Sequence, residues 1–159
     1  MIATKSFSRE KTRVKIVDSL EILRADLIDL MLQVEQAHGN VKEPGFTALH
    51  DLFDKVWEDS AEYADRISRR ISELGAVPQE TSDWMRQKNS LSQSSARIVG
   101  GQEQVSALAR RLSSLGRQIR ISRISAGAAQ DEETAGLFKA ISQGLEKYLW
   151  LAEAAHPSR

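Results

Sequence analysis

Apolar residues recur along this chain at intervals of three and four, and nowhere alternate in the two-residue rhythm of a half-buried strand. Val17, Leu20, Leu23, Leu27, Leu30, Met31 and Val34 form one such stripe and predict an amphipathic helix over about residues 8–38. Residues 39–46, with Asn40, Pro44 and Gly45, read as a loop, and Thr47 is placed to cap a second helix. That helix carries Leu49, Leu52, Phe53, Val56, Trp57, Ala64, Ile67, Ile71 and Leu74, and Gly75 supplies its C-terminal stop. The polar run 76–95 holds Pro78 and many serines, with room for a short helix around Trp84. A third helix is predicted over 102–125 on Val105, Leu108, Leu112, Leu115, Ile119 and Ile124, with Gly100, Gly101 and Gly127 marking its ends. A fourth opens with Asp131, Glu132 and Glu133, acids at the positive end of the helix dipole. It continues through Leu137, Phe138, Ile141, Leu145, Leu149 and Trp150.

Four long helices, no strand, and one long connection between the second and third predict an all-α four-helix bundle with a single crossover. A length of 159 residues fits one domain, 1–159, with a sizeable core. The absence of cysteine excludes disulfides and thiolate metal sites. No apolar run is long enough to span a bilayer and the N-terminus lacks the core of a signal peptide, so a cytoplasmic protein without membrane contact is expected.

Net charge is zero but unevenly placed. Lys5, Arg9, Lys11, Arg13 and Lys15 are opposed only by Glu10, and residues 1–10 read as a basic N-terminal tail. Between Glu103 and Asp131 stand Arg110, Arg111, Arg117, Arg120 and Arg123 with no acid among them. Each cluster suits a phosphate backbone, and equally a solvated helix face or ion pairs to a neighbouring helix. Neither has the interleaved aromatics of a single-strand binder. No phosphate-binding loop or nucleophile elbow is present.

The chemistry gathers between His38 and Arg69. His38 and His50, two of only three histidines, accompany Asp54 and Asp65 at helical spacing. Neutral imidazoles and carboxylates are what iron or zinc would use in a chain without cysteine. His50 and Asp54 are one turn apart, and Asp65 lies eleven residues on, near the same face. His38 ends the preceding helix, so one subunit can bring His38, His50 and Asp54 together. Asp65 lies about 16 Å further along the axis and needs a two-fold partner with antiparallel helices to meet the histidines. The Glu-x-x-His pairs of ordinary di-iron bundles are absent.

The segment AHGNVKEPGFTALHDLFD resembles the hallmark of the DNA-protection-during-starvation (Dps) proteins, ferritin-like mini-cages whose usual pattern is HWNVKGPxFxxLHxxFD. ADRISRRISELGAVPQET is similar to their D-x-x-A-E-R-x-x-x-L-G-G segment, and DEETAGLFKAISQGLEKYLWLAEA to their closing helix. The three blocks keep their order and span most of the chain. The resemblance implies a ferritin-like bundle assembled as a homo-oligomer, a dodecamer with metal sites at its two-fold interfaces. Such a cage stores iron, oxidises Fe(II) as a ferroxidase and protects the cell from oxidative stress. Many members also bind DNA non-specifically, which would make the protein nucleoid-associated.

Position by position, the resemblance implies that His38, His50 and Asp54 hold Fe(II) from one subunit and Asp65 from the partner. The departures are specific. The Glu of A-E-R is Arg69, the tryptophan after the first histidine is Gly39, and the aspartate of the family's TAD motif is Gly136. With neutral histidines, Asp54, Asp65 and Arg69 sum to minus one where the family's site offers minus three. The expected result is iron bound weakly or as a single ion, with ferroxidase activity reduced. Arg69 is expected to pair with Asp65 one turn back or with Glu73 one turn on. The alternative is a non-catalytic shell, or a DNA-binding protein whose metal site has been inactivated.

Overall fold

The computed structural model describes residues 2–41, 47–80 and 100–155, with side chains from Arg9 onward. Helices α1 (Ile2–Asn40), α2 (Thr47–Glu73), α3 (Gly101–Ala128) and α4 (Glu132–Ala155) account for nearly all of them, and no strand occurs among the described residues. The predicted all-α bundle is therefore the observed one. Residues 42–46 of the loop and the predicted short helix around Trp84 lie outside the described residues.

Helix α1 packs along α2 and α3 along α4, and the two pairs meet through α1 against α3 and α2 against α4. The periodic positions close the core: Leu20, Leu27, Leu30, Phe53, Ile67, Leu108, Leu115, Phe138 and Ile141 are all buried. Each such side chain contributes about 1.5–3 kcal/mol through its removal from water. Three residues of the apolar stripes do not follow. Trp57, Ile124 and Trp150 remain 40%, 66% and 68% exposed. Trp57 sits at the margin of its stripe, whereas helical spacing turns Ile124 and Trp150 to the side of their helices opposite the buried residues.

The helix ends show the local chemistry. Helix α1 begins at Ile2, earlier than its apolar stripe. Gly75 adopts φ +84°, and the Gly75 N–H to Ser72 and Ala76 N–H to Ile71 bonds close the end of α2, as its position predicts. At the end of α3 the left-handed residue is Gln130, with φ 64°, while Gly127 stays in the helix. Helix α4 is capped by Asp131, whose carboxylate accepts the Thr134 N–H at 3.0 Å and the Thr134 hydroxyl at 2.6 Å.

Polar clamps tie the elements together. Arg111 of α3 reaches Asp26 at 3.3 Å and Asp29 at 3.0 Å on α1. Where the chain leaves α2, buried Glu21 accepts the Gln79 N–H at 3.0 Å and Arg24 donates to the Gln79 carbonyl at 2.7 Å. Among the described residues no helix is long and apolar enough to cross a membrane.

Candidate metal centre

His38 stands in the last turn of α1, and His50 and Asp54 in the first two turns of α2. The packing of α1 on α2 brings them together. His38 Nε2 lies 3.3 Å from Asp54 Oδ1, and the His38 and His50 rings are 4.6 Å apart between centroids, tilted by 35°. Two donors bound to one ion at about 2.1 Å each, at near-tetrahedral angles, end up just over 3 Å apart. His38 and Asp54 are therefore spaced as two ligands of a single cation.

The third donor is engaged elsewhere. His50 Nε2 lies 2.6 Å from the carbonyl of Val41, just past the end of α1, so its N–H donates there. That bond places the ring proton on Nε2 and leaves Nδ1 as the nitrogen able to ligate. Among the described residues no three His, Asp or Glu side chains stand in a metal-holding group. One subunit brings His38 and Asp54 into contact, with the His50 ring beside them.

Further along α2, Asp65 accepts a hydrogen bond from Arg69 Nη2 at 2.6 Å, and both side chains are about two-thirds exposed. Of the two partners the sequence offered Arg69, Asp65 is the one engaged. Glu73 belongs to the neighbouring Arg70, which donates to it at 2.8 Å. Arg70 also donates to Glu133 at 2.8 Å, to Asp131 at 3.0 Å and to the Thr134 hydroxyl at 3.0 Å. Burial raises the Asp131 carboxyl, but the Thr134 hydrogen bonds and the Arg70 guanidinium outweigh it and hold the carboxyl below its usual range.

These two arginines are adjacent in sequence and point to different work. Arg70, its side chain only 13% exposed, fastens the end of α2 to the start of α4. Arg69 faces outward with the ligand candidates, on a stripe that also carries Asp51, Glu58 and Glu62, all exposed. Sequence reasoning missed Arg70 and the Val41 carbonyl. The first could have been found from the acids at the start of α4, the second only from the backbone path.

On α3, Arg111 is committed to α1, whereas Arg110, Arg117, Arg120 and Arg123 are exposed, Arg117 donating to Ser113 at 2.9 Å. In the N-terminal basic segment, Arg13 pairs with Glu10 and donates to the Leu74 carbonyl at 2.8 Å.

The sequence profile of the ferritin-like domain matches residues 17–156. A DNA protection during starvation protein of Agrobacterium fabrum is 29% identical over 151 residues, covering 95% of this chain and 93% of that protein. The crystal structure of Dps from Staphylococcus aureus superimposes with a TM-score of 0.80 at 19% identity, covering 91% of this chain and 96% of that one. A Vibrio cholerae Dps, described as one of a broad superfamily of ferritin-like diiron-carboxylate proteins, gives 0.77 at 23% identity, covering 91% and 90%. At these identities the structural likeness is one of fold.

Proposed function

The chain belongs to the ferritin-like domain family, and from that premise we propose that it is a Dps-like iron-binding and storage protein, a cage subunit that protects the cell from oxidative stress with weakened ferroxidase activity. Iron is its substrate and cargo. His38 and Asp54 hold the ion, and His50 joins when it releases the Val41 carbonyl and turns. In the assembled dodecamer, Asp65 reaches the site from across a two-fold interface.

The observation that carries the reading is the Asp65–Arg69 ion pair at 2.6 Å. It occupies the carboxylate that the partner chain would lend, and puts a cation where a further carboxylate would bridge. The donors fit one weakly held ion better than a pair: two carboxylates and two imidazoles remain, and one carboxylate is shared with a guanidinium. Anaerobic titration with Fe(II), followed by addition of peroxide or oxygen, tests this. Loss of Fe(II) faster than in buffer, yet accelerated further by Arg69→Glu, is expected. A rate equal to buffer for both forms would sink the iron reading.

A second reading is favoured by the exposed arginines of α3. Arg110, Arg117, Arg120 and Arg123 extend over nearly four turns with no acid among the residues around them. A shell of such subunits would hold DNA through its phosphates without base readout, in the cytoplasm at the nucleoid. A gel shift that weakens steeply with salt is the expected result, and no shift at low salt would exclude it.

A further inference from the structure

Away from the histidines, on the seam between α2 and α4, stand the chain's only two tyrosines, Tyr63 and Tyr148. Tyr148 is 3% exposed, and its hydroxyl donates to the carboxylate of Asp59 across the interface. Tyr63, one turn beyond Asp59 on α2, is half-buried and lies against Gly144 so closely that a Cβ there would stand 1.9 Å from its hydroxyl oxygen. The Lys147 ammonium sits 5.6 Å from the centre of the Tyr148 ring. Burial first, and then the hydrogen bond to Asp59 and its negative charge, push the Tyr148 phenol well above the ordinary tyrosine range, and burial followed by the Asp59 charge raises Tyr63.

A buried phenol needs an acceptor, and a backbone carbonyl or a neutral amide would serve. A carboxylate does something those acceptors cannot. When a phenol loses an electron its proton becomes strongly acidic, and the electron leaves readily only when a base is in place to take that proton. Asp59 is such a base, already hydrogen-bonded. Two exposed indoles lie nearby in sequence: Trp57, two residues before Asp59, and Trp150, two residues after Tyr148.

We propose that Tyr148, with Asp59 as its proton acceptor, is a redox-active tyrosine that draws one-electron oxidising equivalents from the subunit surface into the bundle as a neutral phenoxyl radical. The oxidant is an indolyl radical cation formed at an exposed tryptophan by a hydroxyl radical, which is itself reduced to hydroxide. Tyr148 returns one electron to the indole. Its phenolic proton passes to the Asp59 carboxylate, leaving a neutral radical and a neutral carboxylic acid. The centre is reset when a one-electron reductant such as Fe(II) gives an electron back and becomes Fe(III), and Asp59 returns the proton. Tyr63 stands beside this pair with no carboxylate hydrogen-bonded to its hydroxyl among the described residues, and is not the terminus.

The proposal does not depend on iron chemistry, and its test supplies the oxidant by light. The assembled full-length protein is flashed with tris(bipyridine)ruthenium(II) and a sacrificial electron acceptor, and radicals are followed by transient absorption and freeze-quench EPR. A phenoxyl signal with a solvent deuterium isotope effect on its formation is expected. Tyr148→Phe removes that signal and leaves indolyl radicals, whereas Tyr63→Phe retains it. Asp59→Asn, which keeps a hydrogen-bond acceptor but not the base, slows its formation about tenfold. Circular dichroism melts check that each variant is folded. A signal that survives Tyr148→Phe, or is lost with Tyr63→Phe, overturns the assignment. An absent isotope effect in the unaltered protein overturns the role of Asp59 without recourse to any variant.

Discussion

Arg69 donates to Asp65 one turn earlier on α2, at 2.6 Å, and both side chains face solvent. An exposed pair of this spacing is worth about 0.3–0.5 kcal/mol, roughly a twofold effect on anything that must break it. Under the proposed function the pair is therefore a weak lock, and the charge on Arg69 would be the stronger obstacle to a metal ion. A unit positive charge about 4 Å from a cation is opposed by roughly 4 kcal/mol per unit charge at an effective dielectric near 20. Solvent around the exposed guanidinium reduces that to about 1–2 kcal/mol, near tenfold in affinity.

Removing charge and restoring a ligand should therefore separate. Arg69→Gln is expected to tighten Fe(II) binding about tenfold by calorimetry under anaerobic conditions. Arg69→Glu should tighten it further and raise the oxidation rate, because it adds a donor as well as deleting a cation. Equal affinities for the unaltered protein and the Arg69→Gln variant would mean that the arginine does not oppose the metal.

Asp54 is the carboxylate beside His38, 3.3 Å away, with its side chain 61% exposed, and the proposed function makes it the anionic ligand. Asp54→Asn should weaken Fe(II) binding by about tenfold, since a neutral amide replaces a charged oxygen ligand. An exposed substitution of this kind changes stability by no more than about 0.5 kcal/mol, so the melting temperature should stay put. A loss of affinity accompanied by a large drop in melting temperature would instead assign Asp54 a structural role.

How far the sequence was readable depended on whether a feature was periodic or spatial. The helices and most of the core followed from three- and four-residue spacing, because burial selects apolar side chains along a stripe. Trp57 escaped that logic at the edge of its stripe, since periodicity does not say how wide an arc the neighbours cover. Ile124 and Trp150 escaped it because, although apolar, they are out of phase with the buried residues of their helices. Gly127 looked like a helix stop, yet the left-handed turn falls three residues later at Gln130, where side-chain preference gave no warning. Within the site, the approach of His38 to Asp54 was legible. The diversion of His50 to the Val41 carbonyl was not, because a backbone acceptor carries no signature in residue identity.

Arg70 should matter more to stability than Arg69, although the two are adjacent. It is mostly buried and holds Glu73, Asp131, Glu133 and the Thr134 hydroxyl at once. Arg70→Met is expected to cost about 2–4 kcal/mol in urea unfolding at neutral pH, because Asp131 is left without its cation. The pH dependence has a definite sign. The Asp131 carboxyl is held below its unfolded value, so its stabilisation is present above about pH 4 and is lost as pH falls through the lower folded value. The gap between the two forms should narrow in acid. A gap that stayed constant with pH would show that the loss comes from packing by the Arg70 stem.

Gly144 is the position where α4 lets an aromatic ring approach its backbone. A Cβ there would meet the Tyr63 hydroxyl oxygen at 1.9 Å and the ring carbon that bears it at 2.9 Å. In an exposed helix interior, Gly→Ala would ordinarily stabilise by about 0.5–1 kcal/mol through helix propensity. Here the ring must move out of its seat, and displacements of that kind cost about 1–3 kcal/mol. Gly144→Ala should therefore destabilise the protein in thermal or urea melts, against the propensity trend. In a Tyr63→Ala background the obstruction is gone, and the same substitution should become neutral or stabilising. A double-mutant cycle that found the two changes additive would show that Tyr63 does not rest on Gly144, and would remove the packing account of this glycine.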